Sequence, residues 1–310
     1  MTHETVLLTE SIDALKIKSN GLYVDATYGR GGHSALLLSK LSLEGRLIVC
    51  DQDPRAIEDA RTKYHNDARV TVVYCNFRNL PERLKTLELF GHIDGILFDL
   101  GVSSPQLDEG ERGFSFMRKG PLDMRMNNEA GLPLIEKLKA VDETELTRII
   151  FAYGEERFAK KIAAAILAAV ALDALHSTQD LADLISKVIP PRLQDKHKNP
   201  ATRTFQALRL WVNEELESLE SILNAFPGLL APGGRAAFIS FHSLEDRLVK
   251  ARMKVLTELP TLPRGLPVFE RERMHPSMEI YIKMQKPSPT ETALNPRSRS
   301  AVLRVLEKVE

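Results

Sequence analysis

The chain has 310 residues, of which 43% are hydrophobic and 27% are charged. This balance is typical of a globular protein with one large or two smaller domains, and it excludes disordered and collagen-like chains. Lysine plus arginine and aspartate plus glutamate both number 42, so the formal net charge is zero and any binding of nucleic acid must use local basic patches.

The N-terminal segment MTHETVLLTES has no basic stretch followed by an apolar core, so no secretory signal is predicted. The longest apolar run, Ile162 to Leu172, is much shorter than the roughly 20 residues of a membrane-spanning helix. We therefore expect a cytoplasmic protein with no membrane partner.

Four apolar runs in the first third of the chain have the composition of buried strands. They are Gly21–Thr27, Arg46–Cys50, Arg69–Tyr74 and His92–Leu100. Segments with helical composition separate them, and near-continuous apolar strands joined by helices are typical of a parallel sheet covered on both faces. The sequence therefore predicts an α/β fold.

An inserted helical domain is predicted over residues 107–199. A loop rich in glycine and arginine opens this region, and helical segments follow with no strand run between them. The flanking residues 1–106 and 200–310 are then expected to form the main domain.

Three further strand runs follow the insertion, which brings the predicted sheet to about seven strands. They are Leu229–Ser240, Met278–Met284 and Ala301–Leu306. After the first of these, Ser243 and Asp246 have the spacing of a helix capping box.

A glycine cluster, GRGGHS at residues 29–34, lies between a predicted strand and a predicted helix. Glycines there let the backbone approach a ligand, and the helix start presents unpaired N–H groups, although many such clusters are only turns. Asp51 ends the next strand roughly 20 residues further on, where a carboxylate can accept hydrogen bonds from ribose hydroxyls. Together these two features predict a site for an adenosine-containing cofactor.

The residues favour S-adenosylmethionine over a dinucleotide as that cofactor. Ser34 stands where the dinucleotide fingerprint has its third glycine, and Asp25 would repel a pyrophosphate. S-adenosylmethionine carries a sulfonium and an ammonium group and no phosphate, so acidic neighbours suit it. Asp99, at the end of the fourth strand, lies at the edge where open α/β sheets bind ligands, or it serves only as a turn residue.

No metal site is predicted. The two cysteines, Cys50 and Cys75, each end an apolar run, and small buried thiols are the interpretation we favour over a disulfide or a zinc ligand. Neither His33 nor His242 has a second ligand at metal spacing. We expect His33 in the loop near the cofactor and His242 in a structural role.

Three groups of basic residues are candidates for RNA contact, although charged stretches are often only solvated faces. The groups are Arg112, Arg118, Lys119 and Arg125; Arg192, Lys196, His197, Lys198, Arg203 and Arg209; and Arg297, Arg299 and Arg304. If they bind phosphates, the affinity for RNA falls steeply with salt. Phe114 and Phe116 could stack on a flipped base, or they belong to the core.

Long blocks of the sequence resemble one family. The blocks include HETVLLTES, DATYGRGGHS, DQDP, DGILFDLGVSSPQLD, YGEERFAKKIA, NPATRTFQALRLWVNEEL and LAPGGRAAFISFHSLEDR, in this order along nearly the whole chain. They are similar to the ribosomal RNA small-subunit methyltransferase H family. The resemblance implies a Rossmann-like class I S-adenosylmethionine-dependent methyltransferase fold with an inserted helical domain for substrate recognition.

The resemblance also implies a reaction and its partners. The expected activity is methylation of the exocyclic N4 of a decoding-centre cytidine in the 16S rRNA of the small ribosomal subunit, and homodimers are expected to occur. By motif, the cofactor would be held by Gly31, Gly32, His33, Asp51, Phe77, Asp99 and Gln106. The basic residues expected to bind the RNA substrate are Arg112, Arg118, Arg125, Lys198 and Arg203.

The catalytic hypothesis starts from the substrate. Cytosine N4 shares its lone pair with the ring, so it is a weak nucleophile until hydrogen-bond acceptors orient its amino group toward the methyl donor. We expect Asp99 and one of Ser103 and Ser104, or a neighbouring carbonyl, to do this. Two alternatives remain, a methyltransferase for small molecules and a non-catalytic RNA-binding or assembly factor.

Overall fold

The computed structural model describes residues 5–194, 199–258 and 276–309. The chain divides into two compact units, which we call the sheet unit (Met1–Gly101 and Leu216–Glu310) and the helical unit (Val102–Glu215). The insertion predicted over residues 107–199 lies within the helical unit, which also contains residues 102–106 and the helix Thr202–Asn213.

Across the described residues, seven strands form one mixed sheet in the sheet unit. They are β1 (Leu22–Asp25), β2 (Arg46–Asp51), β3 (Val70–Tyr74), β4 (Ile93–Asp99), β5 (Leu230–Ser240), β6 (Met278–Gln285) and β7 (Val302–Lys308). Their order is β3-β2-β1-β4-β5-β7-β6. The predicted strand number and the Rossmann-like α/β arrangement are confirmed.

The first four strands are parallel to one another as predicted, and the sheet becomes mixed only at its other end. The strands β1 to β5 pair in parallel, but β7 runs antiparallel to both β5 and β6. The chain reaches β7 from β6 without a long helical crossover, so the two strands are free to pair antiparallel.

Helices connect the strands and form the helical unit. In chain order they are α1 (Leu8–Ala14), α2 (Gly32–Ser39), α3 (Pro54–Tyr64), α4 (Leu80–Thr86), α5 (Ser104–Asp108), α6 (Leu134–Ala140), α7 (Glu143–Gly154), α8 (Ala159–Ala171), α9 (Thr178–Val188), α10 (Thr202–Asn213), α11 (Glu215–Leu229), α12 (Ser243–Thr257) and α13 (Pro289–Leu294). Among the described residues, no helix combines the length and the hydropathy that a membrane crossing requires.

Two apolar layers cover the sheet because successive strand residues point to opposite faces. Leu97 and Ile239 pack with residues of α1, α2 and α3 on one face. Phe98 and Phe238 pack with α4, α11 and α12 on the other, where their rings stack with centroids 4.8 Å apart. Burying both faces fixes the strand ends, which carry the polar residues of the candidate site.

The helical unit has an apolar core of its own. Side chains at helical spacing on α7, α8, α9 and α10 form it, among them Ile150, Ile162, Leu181, Phe205 and Leu208. This unit therefore has the packing of an independent helical domain.

Candidate functional site

The strand order reverses between β1 and β4, and this point positions the candidate site. The chain proceeds from β1 to β2 and β3 on one side, whereas β4 and β5 lie on the other. Loops that leave neighbouring strands in opposite directions open a crevice beyond the strands' carboxyl ends. Asp25, Asp51 and Asp99 are the last residues of β1, β2 and β4, so three carboxyl groups lie along this edge.

The glycine turn after β1 has the conformation that only glycine adopts easily. Gly29 and Gly31 have φ angles of +55° and +67°, and Gly31 is the N-cap of α2. A Cβ on Gly31 would lie 2.4 Å from the ring of Tyr28, and one on Gly32 would lie 1.9 Å from the hydroxyl oxygen of Thr5. In the described part of the chain no side chain caps the start of α2, so the turn presents backbone rather than side chains.

Asp51 is held in a fixed orientation. Its Oδ2 accepts the N–H of Gly29 and its Oδ1 accepts the N–H of Asp53, both at 2.8 Å. Burial raises the pKa of Asp51 to about 6, against the opposing effect of these two hydrogen bonds. Each carboxylate oxygen has a second lone pair, so the group retains the capacity to accept from a diol.

Asp25 does not face a ligand as its position in the sequence suggested. Only 1% of the residue is exposed, its Oδ2 accepts the hydroxyl of Ser34 at 2.6 Å, and its Oδ1 accepts the N–H of Thr27 at 3.2 Å. Burial raises its pKa to about 6. Asp25 therefore braces the glycine turn and acts on the site only through its charge.

Asp99 is a carboxyl group of this edge with unused hydrogen-bonding capacity. Its Oδ1 is buried and has no hydrogen-bond partner in the described part of the chain, and its Oδ2 lies 3.7 Å from His33 Nδ1. The side chain is 26% exposed. Burial raises the pKa of Asp99 well above its usual range, and the charges of Asp25 and Glu245 add to this effect. An acceptor left in this state suits a ligand that brings a donor or a positive charge.

His33 is fixed from its other side. The ring Nε2 donates to the carbonyl of Val6 at 3.1 Å, and the residue is 4% exposed. A carbonyl oxygen only accepts, so Nε2 carries a proton. This contact orients the ring so that Nδ1 faces Asp99. His33 therefore lies beside the acidic edge as predicted, but in the first turn of α2 and not in the loop before it.

Phe77 lies just beyond β3 and is partly buried. Its ring packs edge-on against Phe98, with centroids 6.0 Å apart. One part of the ring thus belongs to the core, which leaves the adenine contact of Phe77 a prediction.

Ser103, Ser104 and Gln106 open α5 in the helical unit. Ser103 is the N-cap, and its backbone N–H donates to Oε1 of Gln106 at 3.0 Å. Gln106 is 4% exposed. These residues build a capping box, and their cofactor and catalytic roles remain predictions.

Two arginines of the loop that begins the helical unit stabilise that loop. Arg112 is 4% exposed, and its Nη2 donates to the carbonyls of Met126 at 2.9 Å and Arg125 at 3.2 Å. Arg125 forms a bidentate pair with Asp123 and donates to the carbonyl of Gly131. This placement argues against the expectation that Arg112 and Arg125 bind substrate, because their donors are used within the fold.

Arg118 and Arg203 have exposed side chains, although Arg203 Nη1 also donates to the carbonyl of Glu155 at 3.3 Å. Lys198, with Lys196 and His197, lies outside the described residues. Arg304, by contrast, is buried in a bidentate pair with Asp246, so it is not a surface cation.

The two phenylalanines proposed for base stacking belong to the core. Phe114 is 6% exposed, and Phe116 packs edge-on against Phe205 with centroids 5.1 Å apart. The alternative of core packing is therefore the one observed.

Glu245 is a buried carboxylate near the edge of the sheet that was not among the predicted site residues. This buried carboxylate accepts the N–H groups of Phe241 at 2.8 Å and His242 at 3.2 Å, so the capping box is His242 to Glu245, one residue before the predicted one. The segment HSLED contains two pairs at capping-box spacing, Ser243 with Asp246 and His242 with Glu245. The second pair was the signal in the sequence that pointed to Glu245. The expected structural role of His242 agrees with its place as the N-cap of α12.

Residues 1–309 match the model of the MraW methylase family. The chain belongs to the MraW methylase family. This is the ribosomal RNA small-subunit methyltransferase H family that the sequence resembled, so that prediction is confirmed.

Membership of the MraW methylase family makes the chain an S-adenosylmethionine-dependent methyltransferase of ribosomal RNA. The predicted cofactor is therefore confirmed. No group of three or more histidine, cysteine, aspartate and glutamate side chains in the described ranges could hold a metal ion.

Two solved structures illustrate more distant likeness. An rRNA methylase from Streptococcus thermophilus is 14% identical with a TM-score of 0.41, covering 100% of this chain and 99% of that one. Fibrillarin from Aeropyrum pernix, in complex with S-adenosyl-L-methionine, is 11% identical with a TM-score of 0.39, covering 93% of this chain and 67% of that one. Values this low add nothing to the family assignment.

Proposed function

We propose that this chain transfers a methyl group to the exocyclic N4 of a decoding-centre (P-site) cytidine in the 16S rRNA of the small ribosomal subunit. The observation that carries the proposal is the match of residues 1–309 to the MraW methylase family. The carboxyl edge of the sheet supports it, because Asp99 keeps a buried oxygen there that has no hydrogen-bond partner within the described ranges.

The residues of this edge fit S-adenosylmethionine, which when bound supplies an electrophilic methyl group on a sulfonium. Asp51 is oriented by two backbone N–H groups and keeps lone pairs for the ribose hydroxyls. Asp99 offers an acceptor of negative character for the ammonium group, and Gly31 and Gly32 keep the turn free of side chains. Phe77 and Gln106 complete the proposed cofactor contacts.

The amino group of the target cytosine needs an acceptor for its proton. Because Asp99 pairs with the ammonium group of the cofactor, we assign to it the orientation of the amino group, and we assign the proton to a hydroxyl of Ser103 or Ser104 or to a neighbouring carbonyl. We include Ser103 and Ser104 as candidates, since they follow Asp99 closely in the chain.

The helical unit is proposed to recognise the RNA. Arg118 and Arg203 are exposed and suit phosphate contact, and Lys198 remains a candidate from the sequence. Arg112 and Arg125 would act indirectly, by holding the shape of the loop that carries Arg118. A cytoplasmic location and formation of a homodimer remain predictions.

The test is transfer of labelled methyl groups from S-adenosylmethionine to small ribosomal subunits, followed by chromatography of the nucleosides from digested 16S rRNA. We expect label in N4-methylcytidine at one position. Label in another nucleoside would contradict the proposal, and label only in low-mass acceptors would favour a small-molecule methyltransferase. Binding of RNA without any transfer would favour an assembly factor.

A further inference from the structure

The two cysteines of the chain form a close pair that the methyltransferase reaction does not use. Cys50 lies in β2 and Cys75 follows β3, yet their sulfur atoms are 3.2 Å apart. The chain contains no other cysteine. Neither sulfur is part of a disulfide in this structure. A disulfide requires an S–S distance of about 2.05 Å, so the sulfurs need to approach by about one ångström.

The two thiols have different environments. Cys50 is fully buried, and its thiol donates to the carbonyl of Cys75 at 3.2 Å, whereas Cys75 retains 8% exposure. The neighbouring Cys50 thiol lowers the pKa of Cys75, and the guanidinium of Arg83 adds to the effect. The hydrogen bond with Cys75 and burial raise the pKa of Cys50. The thiol of Cys75 is the more accessible of the two, although it too is buried, and a thiol beside a cation with a second thiol in contact is the arrangement of a reactive and a resolving cysteine.

The cysteine pair also adjoins the proposed cofactor residues. Cys50 immediately precedes Asp51, and Cys75 is two residues before Phe77. Between the two segments, the backbone N–H of Cys75 donates to the carbonyl of Asp51 and the side chain of Asn76 donates to that of Gln52. A displacement of either sulfur is therefore transmitted to the ends of β2 and β3.

We propose that Cys50 and Cys75 are an oxidative modification site, at which a peroxide forms an intramolecular disulfide that weakens binding of S-adenosylmethionine. The second half of this inference rests on the proposed roles of Asp51 and Phe77. The Cys75 thiolate attacks one peroxide oxygen, the O–O bond breaks, and the leaving hydroxide takes a proton to become water. The Cys50 sulfur then attacks the resulting Cys75 sulfenic acid, the S–O bond breaks, and the released hydroxide combines with the Cys50 proton. Two thiols and one hydrogen peroxide thus give one disulfide and two waters, and a dithiol reductant reverses the change.

The first experiment measures the bond itself. The full-length protein is reduced, freed of reductant, treated with hydrogen peroxide and analysed by intact mass after alkylation under denaturing conditions. We expect wild type to lose two hydrogen atoms and both alkylation sites, and to migrate as a single chain on a non-reducing gel. Cys50→Ser should instead gain oxygen on Cys75, and Cys75→Ser should keep a Cys50 that reacts slowly. Two alkylated cysteines in peroxide-treated wild type, or an oxygen adduct equal to that of Cys50→Ser, would overturn the proposal.

The second experiment measures the consequence by calorimetric titration of S-adenosylmethionine into reduced, oxidised and re-reduced protein. We expect about 10- to 100-fold weaker binding by the oxidised protein, because loss of a hydrogen bond to a displaced Asp51 carboxylate has an effect of about this size, and recovery after dithiothreitol. The Cys50→Ala, Cys75→Ala double variant controls for oxidation of the 8 methionines and should not respond to peroxide. Unchanged binding by protein with a proven disulfide would overturn the regulatory effect. If the reduced protein fails to bind the cofactor, the proposed function fails instead, and the mass measurement still decides whether the bond forms.

Discussion

The sheet unit and the helical unit use their charged residues differently. At the carboxyl edge of the sheet, burial raises the pKa of Asp25, Asp51 and Asp99, and Asp99 keeps an oxygen with no partner among the residues that the structure describes. In the helical unit, Arg112 donates hydrogen bonds to nearby carbonyls, and Arg125 donates to a carbonyl and to Asp123. A charged residue indicates a ligand site when the fold leaves its hydrogen-bonding capacity unused, and clustering in the sequence does not show this.

The largest effect that this comparison predicts is on Asp99. We expect Asp99→Ala to lower methyl transfer to small subunits by about 100- to 1000-fold, since a preorganised polar group at the reacting centre contributes on this scale. The matched control is Asp13→Ala, which removes an exposed carboxylate paired with Lys40 and should retain wild-type turnover. Equal turnover of the two variants at saturating cofactor would remove Asp99 from the mechanism.

The second prediction separates two arginines of the same loop. Arg112→Ala should lower the free energy of unfolding by about 3 kcal/mol, because it leaves buried carbonyls without donors. Arg118→Ala removes an exposed side chain and should change stability by less than about 0.5 kcal/mol while reducing the salt dependence of RNA binding. Urea unfolding and filter binding at several salt concentrations check both parts. Loss of stability in Arg118→Ala, or none in Arg112→Ala, would reverse the assignment.

The third prediction compares two glycines with similar backbone angles, one in each unit. Gly31 and Gly131 have φ angles of +67° and +73°, but an added Cβ meets the Tyr28 ring at Gly31 and nothing within 4 Å at Gly131. Gly131→Ala should cost only the backbone strain of about 1–2 kcal/mol, and Gly31→Ala should cost about 1–3 kcal/mol more. Thermal unfolding of both variants gives the difference directly. Similar melting temperatures would mean that the turn before α2 has room for a side chain.

The smallest predicted effect is on pH dependence. The pKa of Asp51 is raised to about 6, above its ordinary 3.8, so the folded state holds this proton between about pH 4 and 6 while the unfolded state releases it. The contribution of Asp51 to stability is therefore present at low pH and is lost as the pH rises through 6. Affinity for S-adenosylmethionine should change in the opposite sense, since the ionised carboxylate is the better acceptor for ribose hydroxyls.

Both trends are measurable as differences between wild type and Asp51→Asn. From pH 6 to pH 4, wild type should gain stability relative to the variant in urea unfolding. From pH 7.5 to pH 5, its calorimetric affinity for the cofactor should fall by up to about tenfold per unit below the pKa. Parallel changes in stability and affinity would contradict the role of Asp51 as an ionised ligand.

The sequence predicted the strands and the acidic edge well because both depend on local pattern. Apolar runs such as Arg46–Cys50 form strands wherever the sheet buries both faces, and β2 extends this run by one residue. The order of β5, β7 and β6 depends on contacts between distant segments, and no local pattern encodes it.

The difference between local pattern and long-range contact also explains which features of the site the sequence could not predict. Arg112 is occupied because the carbonyls of Arg125 and Met126 come within reach of its guanidinium. The contact between Cys50 and Cys75 follows from the register of β2 against β3. Both contacts depend on tertiary structure, so neither can be predicted from the residue types along the chain.

The most direct test of the account is a crystal structure of the protein with bound S-adenosylmethionine. We predict that the ribose hydroxyls donate to Asp51, the ammonium group lies within hydrogen-bond distance of Asp99 Oδ1, and the amino-acid end passes the Gly31 turn. The cofactor in any other crevice, with Asp51 and Asp99 both free of it, would contradict the assignment of this edge as the methyl-donor site.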